Sequence, residues 1–194
     1  GIYRVQNEDN YEEFHLCKKR LTEEIGELNL NIRQLFHGTG GASVSSIIKN
    51  GIDWRLCGAH GTKYGRGSYF AKNSAFARPY STLALDGIRN MFVASVITGK
   101  SAIGSSFLNR EPDGYNSTVD NLEAPSLYVV YHSKQSYTDY LIRFYDGIQG
   151  TDSKSELIKP EKRRKILMEC HQHRPILQNF CQKLTLFLLK SPTL

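Results

Sequence analysis

Residues 34–43 read QLFHGTGGAS: an apolar run that stops at a histidine and passes at once into glycines and small hydroxylated residues. The apolar part, Ile32–Phe36, suits a short buried strand. Just after it, ASVSSIIKNG sets Val44, Ile47 and Ile48 at helical offsets before Gly51 closes the helix. His37 is therefore expected at a strand-to-helix junction. Gly38, lacking a Cβ, would let a ligand approach the main chain closely enough for its N–H and C=O to read a planar amide, with His37 beside it as a polar handle.

The flanking segments fill in the fold. Upstream, NEDNYEEFHLCKKRLTEEIG (7–26) puts Tyr11, Phe14 and Leu21 on one helical face, with Gly26 as the stop. Downstream, IDWRLCGAHGTKYGRG (52–67) is rich in glycine and polar residues and reads as a long surface loop. GSYFAKNSAFARPYS (67–81) follows as a short strand and one or two helical turns. MFVASVIT (91–98), LYVVYH (127–132) and YTDYLIRFY (137–145) are β-branched and aromatic, and HSKQS between the last two has hairpin length. Gly99–Ser126, with Gly104, Pro112, Gly114 and Pro125, carries loop chemistry. The pattern predicts an α+β domain with a mostly antiparallel sheet.

The 194 residues suit one compact unit with an appendage, and no internal repeat is present. Net charge is +6, but 147–194 holds nine Lys/Arg against four Asp/Glu, so about +5 of it lies in the tail. Lys162, Arg163, Arg164 and Lys165 cluster there without an aromatic ladder, which reads as a solvated basic helix rather than a nucleic-acid surface. Cys17, Cys57, Cys170 and Cys181 show no CxxC spacing, as expected of thiols in a reducing compartment. No cleavable signal and no apolar stretch near 20 residues is apparent; the apolar end Leu184–Leu189 is too short to cross a bilayer. Cytosol or nucleus is the expected address.

Several chemistries drop out. YGRGSYF has Phe70 where a dinucleotide fingerprint needs a small residue, and no glycine run continues into the Gly-Lys-Ser/Thr of a P-loop. Cys170, His171, His173 and Cys181 match no zinc spacing, and Cys57 with His60 lacks an identifiable orienting residue. Tyr69 and Tyr80 remain, either as ordinary packing residues or as wall and floor of a slot for a flat cationic ring such as nicotinamide.

LFHGT (35–39), DWRLCGAHGTKYGRGSYFAKNSAFA (53–77) and LYVVYHSKQSYTDYLIRFY (127–145) together resemble, in order, the catalytic domain of the poly(ADP-ribose) polymerase family, within the diphtheria-toxin-like ADP-ribosyltransferases. The opening YRVQN is similar to the start of this domain in the zinc-finger- and WWE-containing mono-ADP-ribosylating members. The resemblance implies a split β-sheet core with flanking helices over 1–146 and a basic extension, helical or partly disordered, over 147–194. It implies NAD+ as co-substrate and no metal. By position, it makes His37 the ribose-binding histidine, Gly38 the carboxamide clamp, Thr39 a hydroxyl near the adenosine ribose, Tyr69 the second signature residue and Tyr80 the nicotinamide-stacking tyrosine. Asp53–Arg66 corresponds to the loop covering the donor site.

Two positions depart from the family pattern. Leu127 stands where elongating members carry glutamate, and a hydrocarbon can neither take a proton nor hold a ribose hydroxyl. Chain elongation is expected to be lost while single transfer survives through positioning. Ala77 stands where a serine usually meets the carboxamide; losing that bond costs roughly 0.5–1.5 kcal/mol, up to about tenfold in affinity. Alternatively Ala77 simply packs beside Phe76, and Ser74 is a distant substitute. The expected function is a glycosyltransferase moving one ADP-ribose from NAD+ to a protein acceptor, itself included, with no membrane role and with nucleic acid met through the tail or other domains. A catalytically silent NAD+- or protein-binding domain is the alternative, and a nucleic-acid module the third.

Overall fold

The structure is a computed structural model that describes residues 1–56, 62–83 and 87–145. Strand β1 (Ile2–Arg4) leads into helix α1 (Glu8–Ile25), then β2 (Ile32–Thr39), α2 (Val44–Asn50), β3 (Ser68–Ala71) and the single turn α3 (Ser74–Ala77). A 3₁₀ turn at Arg78–Tyr80 precedes β4 (Ile88–Ile97), β5 (Ser101–Ile103), β6 (Ser117–Val119), β7 (Leu127–Val130) and β8 (Ser136–Tyr145). The strands lie in the order β1-β8-β4-β2-β3-β7-β6-β5, and every pairing is antiparallel except β5 with β6. The α+β class and mostly antiparallel sheet expected from the sequence are present.

The sheet is two halves held by a narrow join. β2 pairs with β4 through eight successive register positions, Ile32↔Ile97 to Thr39↔Asn90, but meets β3 only at Phe36↔Ala71. Past Phe36 the strands diverge, and His37–Thr39 keep only β4 as strand partner. Among the described residues, Gly38 and Thr39 have no second strand partner on the other edge of β2. β2 thus runs longer than the sequence predicts: His37 lies inside the strand, not at a strand-to-helix junction, because its register with β4 continues to Thr39. Nor is the run buried throughout, since Ile32–Gln34 are exposed and Leu35 is the buried member of the predicted strand.

Alternation along β4 feeds both faces of the sheet. Phe92, Ala94 and Val96 join Leu35, Phe70 and Ile47 of α2 in one core cluster, while Ile97 meets Phe14, Cys17 and Leu21 of α1 in a second. Tyr11, expected on that buried helical face, is half exposed and instead sets its ring against His15 and edge-on to Tyr137. Gly26 ends α1 as the sequence predicts, at φ +80°, where a side chain would be strained.

The expected hairpin over HSKQS does not form. β7 has β3 and β6 as neighbours and β8 has β4 and β1, so the connection crosses from one half of the sheet to the other. It does so through a 3₁₀ turn at Ser133–Gln135, whose buried Gln135 amide donates to Ile97 O at 3.2 Å and Asn116 O at 2.9 Å. The region predicted as loop, Gly99–Ser126, contributes the two three-residue strands β5 and β6. The tail 147–194, with the basic cluster and Cys170, His171, His173 and Cys181, lies outside the described residues, as do Cys57 and His60.

At the start of α1, Asn7 both caps and staples. Its Oδ1 accepts the Asn10 N–H at 2.9 Å while its amide donates to the Ile48 and Lys49 carbonyls, each at 3.0 Å, at the end of α2. Asn7→Ala removes the cap and its bonds to both carbonyls, leaving Lys49 O with the Asn10 amide at 3.2 Å, so it is expected to lower stability by about 1–2 kcal/mol. Chemical denaturation of the variant against the parent chain measures this.

Candidate active site

The split between β2 and β3 gathers most of the residues that the sequence singles out. His37 and Tyr69 are joined across it: His37 Nδ1 lies 2.9 Å from the main-chain oxygen of Tyr69. A carbonyl only accepts, so Nδ1 carries the proton of the neutral ring and Nε2 is left as the acceptor nitrogen. The ring also packs against Phe70, with centroids 5.6 Å apart. The histidine is thereby oriented by the neighbouring strand, at the point where strand pairing gives out.

Gly38 is in a place only glycine can occupy. A Cβ there would fall 2.1 Å from Ala77 O and 3.0 Å from the Ser81 N and Oγ atoms. The segment α3 and its following 3₁₀ turn therefore press directly on β2 at the rim of the split. Ala77 is buried, as is Thr39. Phe76 and Tyr80 remain partly exposed, Tyr80 at 38%. Sequence reasoning passed over Ser81. Its side chain is fully buried, and among the described residues its hydroxyl has no hydrogen-bond partner although it lies beside Gly38. A lone serine after tyrosine carries no signal in the chain; only its position against the β2 main chain distinguishes it.

Leu127 completes a row across three strands, Phe36↔Ala71 and Ala71↔Leu127, so the first residue of β7 stands at the same level as the join. It is buried. Its N–H donates to Asp120 Oδ1 at 3.0 Å, and the same carboxylate accepts from the Ser126 N–H at 2.9 Å and, through Oδ2, from the Ser126 hydroxyl. Partial burial pushes this carboxyl up, but the hydrogen bonds from Ser126 and Leu127 outweigh that and hold it below its ordinary value. Asp120 is a second residue the sequence reading missed, since a single aspartate in a polar loop is unremarkable.

Tyr69 is half-buried, and its phenol is engaged at the base of the preceding loop: Oη accepts the Tyr64 N–H at 2.9 Å and donates to Gly65 O at 2.8 Å. At the other end of that loop the Arg55 guanidinium, bonded to Asp53 Oδ2 at 2.8 Å, holds the Asp53 carboxyl below its usual range. Among the described residues no group of three His, Cys, Asp or Glu side chains could hold a metal ion, and no helix is long and apolar enough to cross a membrane. Cys17 is buried beneath α1, and that burial pushes its thiol up, away from the thiolate a nucleophile needs.

A split, mostly antiparallel sheet is the architecture that the resemblance to an ADP-ribosyltransferase catalytic domain implies. Residues 1–126 match the family model described as poly(ADP-ribose) polymerase catalytic domain, and the chain belongs to that family. It is 37% identical over 150 residues to protein mono-ADP-ribosyltransferase PARP12 of Mus musculus, covering 74% of this chain and 21% of that protein. It is 33% identical over 170 residues to protein mono-ADP-ribosyltransferase PARP11 of Homo sapiens, over 74% of this chain and 50% of the relative. Against protein mono-ADP-ribosyltransferase PARP14 of Homo sapiens the identity is 33% over 153 residues, 74% of this chain and 8% of the relative. The chain therefore spans half or less of the length of these relatives.

Two expectations follow. The resemblance places the side chain of residue 77 at the nicotinamide carboxamide, and on that reading Ala77→Ser should tighten NAD+ binding by up to about tenfold, read by calorimetry. Asp120, with its folded-state value lowered, stabilises the domain above the ordinary carboxylate value of about 3.9, and that share is lost as the pH falls through the lowered value. Asp120→Asn should therefore lose stability at neutral pH while showing a flatter decline in denaturation midpoint between about pH 5 and pH 2.

Proposed function

We propose that this chain is the catalytic domain of a protein mono-ADP-ribosyltransferase, transferring one ADP-ribose from NAD+ to an acceptor side chain with release of nicotinamide. The observation that carries the reading is the His37–Tyr69 bond across the split sheet, beside a glycine that admits no Cβ. The names of its relatives as mono-ADP-ribosyltransferases support it.

NAD+ fits the residues present. The unpaired edge of β2 at Gly38 suits the nicotinamide carboxamide, with the orphaned Ser81 hydroxyl close by to compensate for the missing one at Ala77. Tyr69 and Tyr80 supply aromatic faces for the cationic ring, and Thr39 a hydroxyl toward the adenosine ribose. His37, with Nε2 as acceptor, takes a hydrogen bond from a ribose hydroxyl and holds the sugar. In the reaction the bond between ribose C1′ and the nicotinamide nitrogen breaks, nicotinamide leaving as a neutral molecule with the bonding pair. A lone pair of the acceptor closes on C1′, and its proton passes to solvent.

Orientation and electrostatics do the work here, because the cationic leaving group departs readily and the sugar tolerates an oxocarbenium-like state. Leu127 offers no proton acceptor at the third signature position, which supports a single transfer rather than elongation. Residues 1–146 form the catalytic unit in this reading and 147–194 an extension. The acceptor is a protein, the chain itself included, in a reducing cytosolic or nuclear compartment; nucleic acid would be met through the basic tail or other domains. A silent NAD+-binding domain is the second reading, favoured by hydrocarbon at both position 77 and position 127.

Incubation with NAD+ and acceptor proteins, followed by intact-mass analysis, separates these readings. The expected products carry single additions of about 541 Da, absent from His37→Ala, consistent with loss of transition-state positioning. Chained additions on one side chain would overturn the Leu127 argument, and NAD+ binding without product would select the silent domain.

A further inference from the structure

We propose that Thr118 and Tyr131 are positioning residues for the nicotinamide slot, acting through the Tyr64–Gly65 main chain to fix the phenol of Tyr69. This rests on the reading above, in which Tyr69 forms one wall of that slot.

The geometry is a chain of hydroxyls along one face of the far half of the sheet. Tyr69 pairs with Val129 and Val129 with Thr118, so Tyr69 and Thr118 present their side chains on the same face across β3, β7 and β6. Thr118 Oγ1 donates to Tyr64 O at 2.8 Å and lies 2.8 Å from the Tyr131 hydroxyl. With the threonine's single proton on Tyr64 O, Tyr131 is the donor to Thr118. Hydrogen bonds in such a series polarise one another, and this one is sealed from water, with Thr118 fully buried and Tyr131 2% exposed.

The held segment has no slack. Gly65 sits at φ +125°, and a Cβ on it would fall 2.0 Å from the Tyr131 hydroxyl. Gly104 presses from the other side, where a Cβ would fall 2.4 Å from Tyr64 O. The Arg66 N–H continues the anchorage with a bond to Leu108 O at 2.8 Å. Tyr64–Gly65 in turn presents an N–H and a C=O to the phenol of Tyr69, one donating and one accepting. The same tyrosine's carbonyl holds His37. Thr118 and Tyr131 thus govern the ring of Tyr69 without belonging to the slot.

The test measures NAD+ affinity by calorimetry, with melting temperature alongside, for the parent chain, Thr118→Val, Thr118→Ser, Tyr69→Phe and the double variant Tyr69→Phe/Thr118→Val. Thr118→Val is expected to raise the Kd about three- to tenfold, and Thr118→Ser, which keeps the hydroxyl, to bind as the parent does. In the Tyr69→Phe background the hydroxyl that Tyr64–Gly65 holds is gone, so Thr118→Val should add nothing further to the Kd; a purely structural role would lower the melting temperature without this coupling. Tyr131→Phe keeps the ring and deletes the donor, and serves the same comparison if Thr118→Val does not fold. Parental affinity in Thr118→Val, or independent effects in the double variant, overturns the proposal and leaves the proposed function standing. A parent chain that binds no NAD+ overturns both.

Discussion

Everything in the site depends on one interruption in strand pairing. β2 and β3 share a single register pair, Phe36↔Ala71, and then separate. A continuous ladder would have paired Gly38 with β3 as well as β4; the interruption leaves it with β4 as its strand partner among the described residues. The same interruption would leave the two halves of the sheet weakly joined, and the His37 Nδ1 bond to Tyr69 O bridges the gap one residue beyond the last pair. That hydrogen bond spans the split and, in the neutral ring, selects the histidine tautomer and sets which ring nitrogen can accept.

Close approach of main chain to main chain is the second constraint, and it recurs where the site is built. Gly38 lies against Ala77 and Ser81, while Gly67 lies against Val130, whose carbonyl would be 2.5 Å from a Cβ. Each contact brings a connecting segment tightly onto a strand. Polar groups pulled inward by this packing need partners. Thr118 and Tyr131 find them on Tyr64, and Asp120 finds them at the start of β7, whereas the Ser81 hydroxyl has none among the described residues and lies at the glycine.

Much of this was legible in advance because it is local. The α1 and α2 helices end at the glycines that the spacing marks, and the strand, helical turn and loop around 67–81 follow their punctuation. What failed was long range. The five-residue spacing between LYVVY and YTDYLIRFY has hairpin length, yet both edges of β7 and β8 are already paired, and Gln135 instead ties the connection to each half of the sheet. β5 and β6 escape notice because three residues among Gly, Ser and Asn carry no periodicity, and pairing alone makes them strands. Tyr11 has the right helical offset but lies at the edge of the contact.

By itself the sequence determined the chemistry of the candidate site groups: a histidine before glycine in LFHGT, a tyrosine in GRGSYF, a leucine opening LYVVY. Side-chain chemistry is intrinsic to the residue, and it excludes a proton acceptor at Leu127 in any fold. Tertiary structure alone decided which of these groups meet, which nitrogen of His37 faces the Tyr69 carbonyl, and that Ser81 lies on Gly38, Asp120 at the start of β7, and Thr118 and Tyr131 against Tyr64. Those properties arise from contacts between residues up to 67 positions apart in the chain, such as Tyr64 with Tyr131, whose geometry exists only once the strands have taken their order.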